Sequence, residues 1–464
     1  MLNIVFTLCL SVLVLLTSGQ AQAQTTLGQI QSQAEAALVA GDPERTAELA
    51  NAMLAVDPDQ FAALFLLAVA QAELGQHREA ARNASRAYNV APTAKTRLQA
   101  ARLAASERAE LRQYVRAEFW LRRGANNISD DEDAEAIVRQ FVAISQANPF
   151  SAQFNFSAAP TDNINGGAES ETFRLEGSPF DFFLPPERLP LEGTLYVADA
   201  LIGYRLSENA IQRTSIDSYI YAQTGRLTSS AKERVPDFPE DSFDLLAVDL
   251  SLTHQRQFQG APGPSLVRLG YGEVWNASGS ISTSLSLSLG QVFVLSNGDQ
   301  ISIEGAYSEQ ESLSEVTITS DLANAGNLEF RDGATYALSG SYGMSLDDGG
   351  RLSFSLSSKL NDGGFENTFS EHSGRLVYSF TEPELDVQIT ASYELGYREY
   401  EEIFLSLDGR RDIFRKLSLS GVFTRASYFG FSPSVTVNFT RTLSDVDVFS
   451  SSRVDIRYSL RSVF

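Results

Sequence analysis

The sequence predicts an α + β fold, in which a short helical-repeat domain precedes a 14-stranded antiparallel transmembrane β-barrel. Three observations lead to this prediction. Residues 24–147 have a helical composition with an internal repeat, whereas residues 148–464 alternate apolar and polar side chains along fourteen segments. The connections between those segments mostly alternate between short and long, which a soluble sandwich would not require.

Residues 1–23 are interpreted as a secretory signal peptide. The apolar run at 10–16 is too short to span a bilayer, and Ala21 and Ala23 provide a small-residue cleavage site. Cys9 lies inside this segment and is the only cysteine, so we expect no disulfide and no thiolate metal site in the mature chain. No later segment has about 20 uninterrupted apolar residues. Any membrane-spanning part would therefore consist of strands.

The helical part contains a repeat with the spacing of tetratricopeptide units. Gly41–Pro58 aligns with Gly75–Pro92 at a distance of 34 residues, and each copy has a glycine before its helix and a proline after it. A third, degenerate unit at 93–126 is interpreted as a terminal cap. We therefore expect paired helices that stack as tetratricopeptide-like hairpins.

Three arginines of the third unit, Arg108, Arg112 and Arg116, are spaced at i, i+4 and i+8. On one helix they would form a basic stripe. One interpretation is a solvated helix face, which is the usual role of such a charge pattern. The other is a contact surface for a partner protein or for the acidic second half of the chain.

Fourteen segments with a period of two are the predicted barrel strands. Because lipid offers no water to backbone groups, their sheet must close. In a closed sheet the terminal Phe464 becomes a lipid-facing anchor. The predicted bounds are 150–159, 193–206, 211–224, 241–255, 265–275, 280–295, 300–310, 334–346, 351–360, 373–380, 384–400, 411–426, 431–443 and 453–464.

The connections after even-numbered strands are mostly short and rich in turn residues, as in SNGD and DDGG. Those after odd-numbered strands are mostly long, as at 160–192, 225–240 and 311–333. Short inner turns and long outer loops are typical of barrels in the outer membrane of Gram-negative bacteria. With the first strand running outward, we expect the N-terminal domain to be periplasmic.

The formal charge of −22 is unevenly distributed. Residues 24–148 carry 13 basic and 16 acidic side chains, whereas residues 149–464 carry 23 and 42. Like-charge repulsion argues against a nucleic-acid partner. A well-solvated surface is the simpler interpretation of the acidic half, and a preference for cationic partners is the alternative.

The chain has no recognisable catalytic or cofactor motif. His77, His254 and His372 are the only histidines, and none stands in a Glu-x-x-His spacing, which argues against a metal-hydrolase site. A nucleophile elbow and a phosphate-binding loop are both absent from the sequence. We therefore predict no enzymatic activity and no cofactor.

Two groups of residues in the second half are candidates for contact with a partner. Phe180, Phe182 and Phe183 lie in the first long loop, which either packs on the barrel rim or folds inward as a gate. In the last strand, Asp455, Arg457 and Arg461 alternate with apolar residues and should point inward. Their inward charges serve either structural pairing or contact with a partner.

The segments 148–166 and 409–464 resemble the surface lipoprotein assembly modifier (Slam) family of type XI secretion translocators. The resemblance rests on a helical-repeat domain before the barrel, on Pro160, Asn163 and Asn165 after the first strand, and on the pair Arg411 and Asp412 before a GFSP hairpin. It implies an outer-membrane translocator that exports or displays a particular cargo protein. That cargo would be a surface lipoprotein or a secreted protein, often one that captures iron or haem.

The terminal aromatic is also similar to the signal read by the barrel-assembly machinery, which we expect to insert the protein into outer-membrane lipid. Two other functions remain open. One is an exopolysaccharide-export porin with a periplasmic tetratricopeptide domain, and the other is a passive adhesion or scaffold protein. The proteins or glycans lost from the surface on gene deletion would separate the three.

Overall fold

The computed structural model describes residues 27–174, 179–313, 317–319, 327–329, 332–347, 349–382, 386–406, 408–428 and 430–462. The chain divides into two compact units, 1–149 and 150–464. The predicted signal peptide and Phe464 lie outside the described residues. Within those residues, no helix is long and apolar enough to cross a lipid bilayer.

Seven helices form the first unit as described. Each packs against the next along the chain, and α3 also contacts α5. Alanines fill the contacts between helices, and Leu121 and Trp120 complete the largest core cluster. The helices are 27–39 (α1), Pro43–Val56 (α2), Phe61–Glu73 (α3), His77–Val90 (α4), Ala94–Glu110 (α5), Tyr114–Ala125 (α6) and Asp131–Ala147 (α7).

The helices form tetratricopeptide-like hairpins, as the repeat predicts. Gly41 and Gly75 turn the chain between paired helices with φ of 73° and 71°, a left-handed conformation that glycine adopts without strain. In the third hairpin, Arg112 holds the corresponding turn at φ 55°. Because α5 is longer than α3, the equivalent helix of the preceding repeat, this turn falls 37 residues after Gly75 rather than 34.

Fourteen long strands form one closed antiparallel barrel in the second unit, and all fourteen predicted strands are confirmed. Each strand pairs with its neighbours in the chain, and β1 pairs with β18 to close the sheet. The strands are Phe150–Thr161 (β1), Gly193–Glu208 (β4), Gln212–Leu227 (β5), Leu245–Arg256 (β6), Ser265–Asn276 (β7), Gly279–Val294 (β8), Gln300–Ser312 (β9), Gly333–Ser345 (β12), Arg351–Asp362 (β13), Phe369–Glu382 (β14), Val387–Tyr400 (β15), Arg410–Phe423 (β16), Phe431–Ser444 (β17) and Ser451–Ser462 (β18).

The longest connections lie at one end of the barrel, which we call the loop end. They contain the short hairpin Thr172–Arg174 (β2) with Asp181–Phe183 (β3), and the helix Ser229–Arg234 (α8). A second short hairpin pairs Thr317–Thr319 (β10) with Asn327–Glu329 (β11). The opposite end, which we call the turn end, has shorter connections and is where β1 begins.

The two faces of the barrel wall differ in polarity. Outward positions carry large apolar side chains that stay exposed, such as Leu285 at 62% and Leu289 at 56%, whereas serines occupy the alternate inward positions of the same strand. Such an apolar exterior suits contact with lipid. Other exposed outward side chains are Tyr196, Tyr204, Leu250, Leu269, Leu338, Leu356, Leu417, Val437, Tyr458 and Leu460.

Candidate functional site

A cavity of about 1070 Å³ lies inside the barrel toward the loop end. We call it the lumen chamber. One side is the wall formed by β13 to β17, and the other is made of segments of the loops after β1 and β5. Its lining includes Asn165, Gly167, Leu184, Glu187, Phe243, Lys359, Phe369, Glu371, Arg398, Tyr400, Arg410, Asp412, Phe414, Lys416 and Phe449.

Charged side chains of alternating sign face the chamber across four neighbouring strands. Lys359 pairs in register with Glu371, Glu371 with Arg398, and Arg398 with Asp412. Arg398 donates from Nε to Oε2 of Glu371 at 2.7 Å. Because opposite charges directly across a strand pair attract, this row supports the wall that carries it.

A second ion pair lies four residues along the same two strands toward the turn end. Lys416 Nζ is 3.6 Å from Glu394 Oε1, and the two residues are partners in register. Buried charges are costly unless they are paired. The chamber wall is thus lined with charges that largely satisfy one another.

Arg410 and Asp412 form the most enclosed pair of the chamber. The guanidinium of Arg410 lies 3.8 Å from the ring centroids of both Tyr400 and Phe449, and its Nε donates to Oδ2 of Asp412 at 3.1 Å. Asp412 is only 4% exposed, and its Oδ1 makes no hydrogen bond with the described residues. This oxygen is itself buried, so its missing hydrogen bond is a cost that the wall bears.

The sequence pair Arg411 and Asp412 divides between the two faces of β16. Asp412 points into the chamber, whereas Arg411 is exposed and donates from Nε to Oε1 of Glu399 at 3.0 Å. Consecutive residues of a strand point to opposite faces, so the pair cannot act as one site. Asp412 is the member that faces the lumen.

Asn163 fastens the first long loop across the end of the barrel wall. Its Nδ2 donates to the carbonyl oxygens of Gly167 at 2.9 Å and Ser452 at 3.0 Å, and its Oδ1 accepts from the Gly167 backbone at 2.7 Å. Asn163 is 1% exposed. The amide thus joins the segment after β1 to the start of β18.

Asn165 joins the outgoing and returning limbs of the same loop. Its Nδ2 donates to the carbonyls of Glu187 and Leu189, each at 2.8 Å, and its Oδ1 accepts from the backbone of Leu191 at 2.9 Å. Gly167 packs directly on this returning limb, since a Cβ there would lie 2.3 Å from the carbonyl carbon of Leu189. The two asparagines of the sequence motif therefore fold the loop.

An apolar cluster holds these loop segments inside the loop end. Ile164 and Leu191 of the first loop pack with Phe243 of the loop after β5, and all three are at most 1% exposed. Burial of such side chains stabilises each by roughly 1.5–3 kcal/mol. The remaining buried members are Leu195, Leu227, Ala231 and Val235.

The phenylalanine segment of the first loop does not fold inward, contrary to the gate interpretation. Phe180 is 70% and Phe183 81% exposed, and Phe182 stacks on Phe173 within the β2–β3 hairpin. A two-stranded hairpin pairs its own backbone, and Phe180 and Phe183 stay exposed on it. The inward part of the loop consists instead of the segments around Asn165 and Leu184.

The predicted inward charges of the last strand are paired within the barrel wall. Asp455, which is 5% exposed, accepts from Asn438 Nδ2 at 2.8 Å and lies 3.9 Å from Arg457 Nη2 and 3.8 Å from Arg453 Nη2. Arg461 lies opposite Asn155 near the turn end and is exposed. This geometry supports the structural interpretation for Asp455 and Arg457.

The predicted arginine stripe of the helical unit is wrong, because α5 ends at Glu110 and α6 begins at Tyr114. Arg108 lies on α5, Arg112 in the turn, and Arg116 on α6. Arg108 faces Trp120 at 5.8 Å, and burial together with the charge of Arg116 lowers the pKa of its guanidinium. The stripe fails because spacing alone does not show where one helix stops.

Sequence reasoning missed most of the chamber. The sequence candidates do not include four charged residues of the chamber, Lys359, Glu371, Arg398 and Lys416. They also do not include Arg123 of the helical unit, whose guanidinium lies 4.4 Å from the Tyr88 ring and 4.8 Å from the Trp120 ring. The available signal was charge at inward positions of neighbouring strands. It becomes visible only once the strand register is known.

Comparison with known proteins names no family for this chain. No known family matches the sequence. No curated protein matches it.

Similar solved structures cover about a quarter of this chain. They include the type III secretion translocator chaperone SycD of Yersinia enterocolitica, at 18% identity and a TM-score of 0.25 over 26% of this chain and 86% of that one. The Sgt2 tetratricopeptide domain of Aspergillus fumigatus matches at 22% identity and 0.24, over 26% of this chain and 82% of that one. At these scores we draw no functional argument from either.

Proposed function

We propose that this protein is an outer-membrane translocator that exports or displays a specific cargo protein. The observation that supports this most directly is the lumen chamber. A closed barrel with an apolar exterior encloses a charged cavity at its loop end, and this barrel follows a helical-repeat unit in the same chain.

The barrel supplies the passage or assists it. Because every barrel strand is paired on both sides, its backbone suits a lipid environment, which offers no hydrogen bonds. The chamber offers a passing polypeptide both cations, such as Lys359, and carboxylates, such as Glu371. A polypeptide carries matching carboxylates and backbone N–H groups.

The helical unit receives the cargo before export. Stacked tetratricopeptide-like hairpins present a concave surface, which is the usual binding face of helical repeats. The chain enters β1 at the turn end of the barrel, where the connections are short, as on the periplasmic side of outer-membrane barrels. We therefore assign this unit to the periplasm of a Gram-negative bacterium.

The resemblance to the Slam family gives the cargo its class. Two of its motif residues, Asn163 and Asn165, fold the loop that enters the chamber, and a third, Asp412, lines the chamber wall. The cargo is accordingly a surface lipoprotein or a secreted protein, a class that often captures iron or haem. The barrel-assembly machinery and outer-membrane lipid are the other partners.

Gene deletion followed by surface labelling and analysis of the secreted proteins tests this proposal. We expect one protein, or a small related set, to disappear from the surface or the medium and to accumulate in the periplasm. Expression of the intact chain should restore it. An unchanged set of surface and secreted proteins would contradict the proposal.

An exopolysaccharide-export porin is the second candidate, because aromatic rings line the chamber. Phe369, Tyr400, Phe414 and Phe449 could stack against sugar rings. The faces of Tyr400 and Phe449 are, however, occupied by the Arg410 guanidinium. Loss of an extracellular polysaccharide, with secreted proteins unchanged, would favour this candidate.

A further inference from the structure

The seam between β1 and β18 lacks part of its backbone pairing. Partner pairs run from Asn155–Arg461 to Ala158–Tyr458 and resume at Thr161–Asp455, so that no pair forms at residues 159 and 160. On its other edge, β18 pairs with β17 without interruption from Phe431–Ser462 to Thr442–Ser451. The gap is therefore specific to the closing seam.

Pro160 explains the gap. N–H groups of a strand point alternately to its two neighbours. The backbone N–H of Phe154 points toward β18, where it donates to Oγ of Ser462 at 2.8 Å. The even-numbered residues of β1 therefore face β18, and at Pro160 there is no N–H to donate to the opposite residue, Ile456.

The pairing is also altered at both ends of the seam. The N–H of Phe154 finds a side-chain oxygen rather than a carbonyl, and the N–H of Val454 donates to Oδ1 of Asp162 at 2.9 Å. Of the five even-numbered positions from 154 to 162, three thus lack an ordinary backbone pair. Counted by positions that lack a backbone pair, the seam between β1 and β18 is the weakest strand pairing of the described barrel wall.

We propose that β1 and β18 separate and pair with an extended strand of the exported polypeptide. This proposal rests on the proposed function and names where the cargo pairs. Free strand edges recruit other strands through main-chain hydrogen bonds, and alternate side chains give specificity. An incoming strand can donate to the carbonyl of Ile456 the N–H that Pro160 cannot supply, and can donate to the Pro160 carbonyl as well.

The two faces of the seam define the chemistry of that strand. Outward neighbours are apolar, such as Phe156 and Tyr458, and inward neighbours are polar, such as Ser157 and Asp455. The cargo segment should therefore alternate apolar and polar residues with a period of two. A β-rich cargo protein contains such segments.

Disulfide locking tests this proposal in the intact protein. Ser157 and Ser459 are inward partners across the seam, and the variant S157C/S459C can be oxidised there. The matched control is S357C/S373C, an inward serine pair across β13 and β14. Because Cys9 lies in the predicted leader, no other thiol competes.

With the seam oxidised, we expect export to fall at least about tenfold and to recover on reduction. The oxidised control should export normally. Heat-dependent gel mobility verifies that both variants form the barrel. Normal export through the locked seam would overturn the proposal.

Hydrogen exchange tests the seam without any cargo. In detergent, the amides of Ile456 and Tyr458 should exchange about tenfold faster than those of β16 paired with β17, and P160A should slow them. Equal protection of the two regions would overturn the proposal. If gene deletion changes no exported protein, the proposed function fails independently, since the exchange measurement does not depend on it.

Discussion

The side-chain amide of Asn163 donates to the backbone carbonyl of Ser452, 289 residues further along the chain, at 3.0 Å. This one contact joins the first loop of the barrel to its last strand. Because Asn163 is 1% exposed, water cannot replace the hydrogen bonds it makes. The residue therefore supports both the loop fold and the closure of the sheet.

Replacement of Asn163 by alanine should loosen the loop end. The half-buried carbonyl of Ser452 and the buried N–H of Gly167 would lose their partners, at a cost of about 1–3 kcal/mol each. We expect a lower midpoint for heat-dependent gel mobility and a higher conductance in planar bilayers. The control N209A alters an exposed turn at the other end and should change neither. A conductance of N163A equal to that of the unaltered protein would contradict the role of Asn163 in holding the loop.

The ion pair of Arg398 and Glu371 allows a double-mutant test. R398Q alone leaves Glu371 without its ion-pair partner and should destabilise the barrel by roughly 2–4 kcal/mol. The double variant R398Q/E371Q should recover part of that loss, because no carboxylate at 371 then remains unpaired. Urea-induced unfolding in detergent measures the free energy of unfolding of both variants.

The exposed pair of Arg174 and Asp181 provides the control for that cycle. Their side chains are 62% and 53% exposed, so R174Q should cost at most about 1 kcal/mol. Equal costs for R398Q and R174Q would show that the chamber pair contributes no more than a surface contact.

Charge changes in the chamber should alter ion selectivity if the chamber lies on the conducting path. K359E adds negative charge beside Glu371 and should shift the reversal potential in a salt gradient toward cation preference. R411Q changes a charge on the opposite face of the wall and serves as the control. An unchanged reversal potential in K359E would place the conducting path elsewhere.

The turn at Arg112 offers a stability test in the helical unit. A side chain at φ 55° costs about 1–2 kcal/mol, which exceeds the entropic cost of glycine, so R112G should stabilise the hairpin by about 0.5–1 kcal/mol. R116G, inside α6, should instead destabilise it by about 1 kcal/mol. Hydrogen exchange of the α5 and α6 amides in the full chain distinguishes the two variants. Faster exchange in R112G than in the unaltered protein would contradict the interpretation that Arg112 is strained.

The barrel was predictable because each strand shows its period of two locally. The segment 435–443 alternates apolar and polar residues without reference to any other part of the chain, and it lies inside β17. The repeat was predictable for a similar reason, since Gly41 and Gly75 mark equivalent turns.

The chamber was less predictable because it depends on which strands are neighbours and in what register. Glu371 meets Arg398 only through the pairing of β14 with β15, and no local pattern encodes that match. The exposed position of Phe180 and Phe183 depends on a hairpin within a long loop, which their own spacing does not reveal. The arginine stripe failed at a helix end, the least certain part of any pattern.

The anchoring of one loop at two places has a mechanical consequence. Asn163 bonds to Ser452, Glu169 bonds through its N–H to Ser450 at 2.9 Å, and Asn165 holds the returning limb in the chamber. Movement of β18 away from β1 therefore pulls on the same loop that extends into the lumen chamber. If the seam opens as proposed, unblocking of the interior and opening of the wall would occur as a single concerted event, and both would stay closed while no client is engaged.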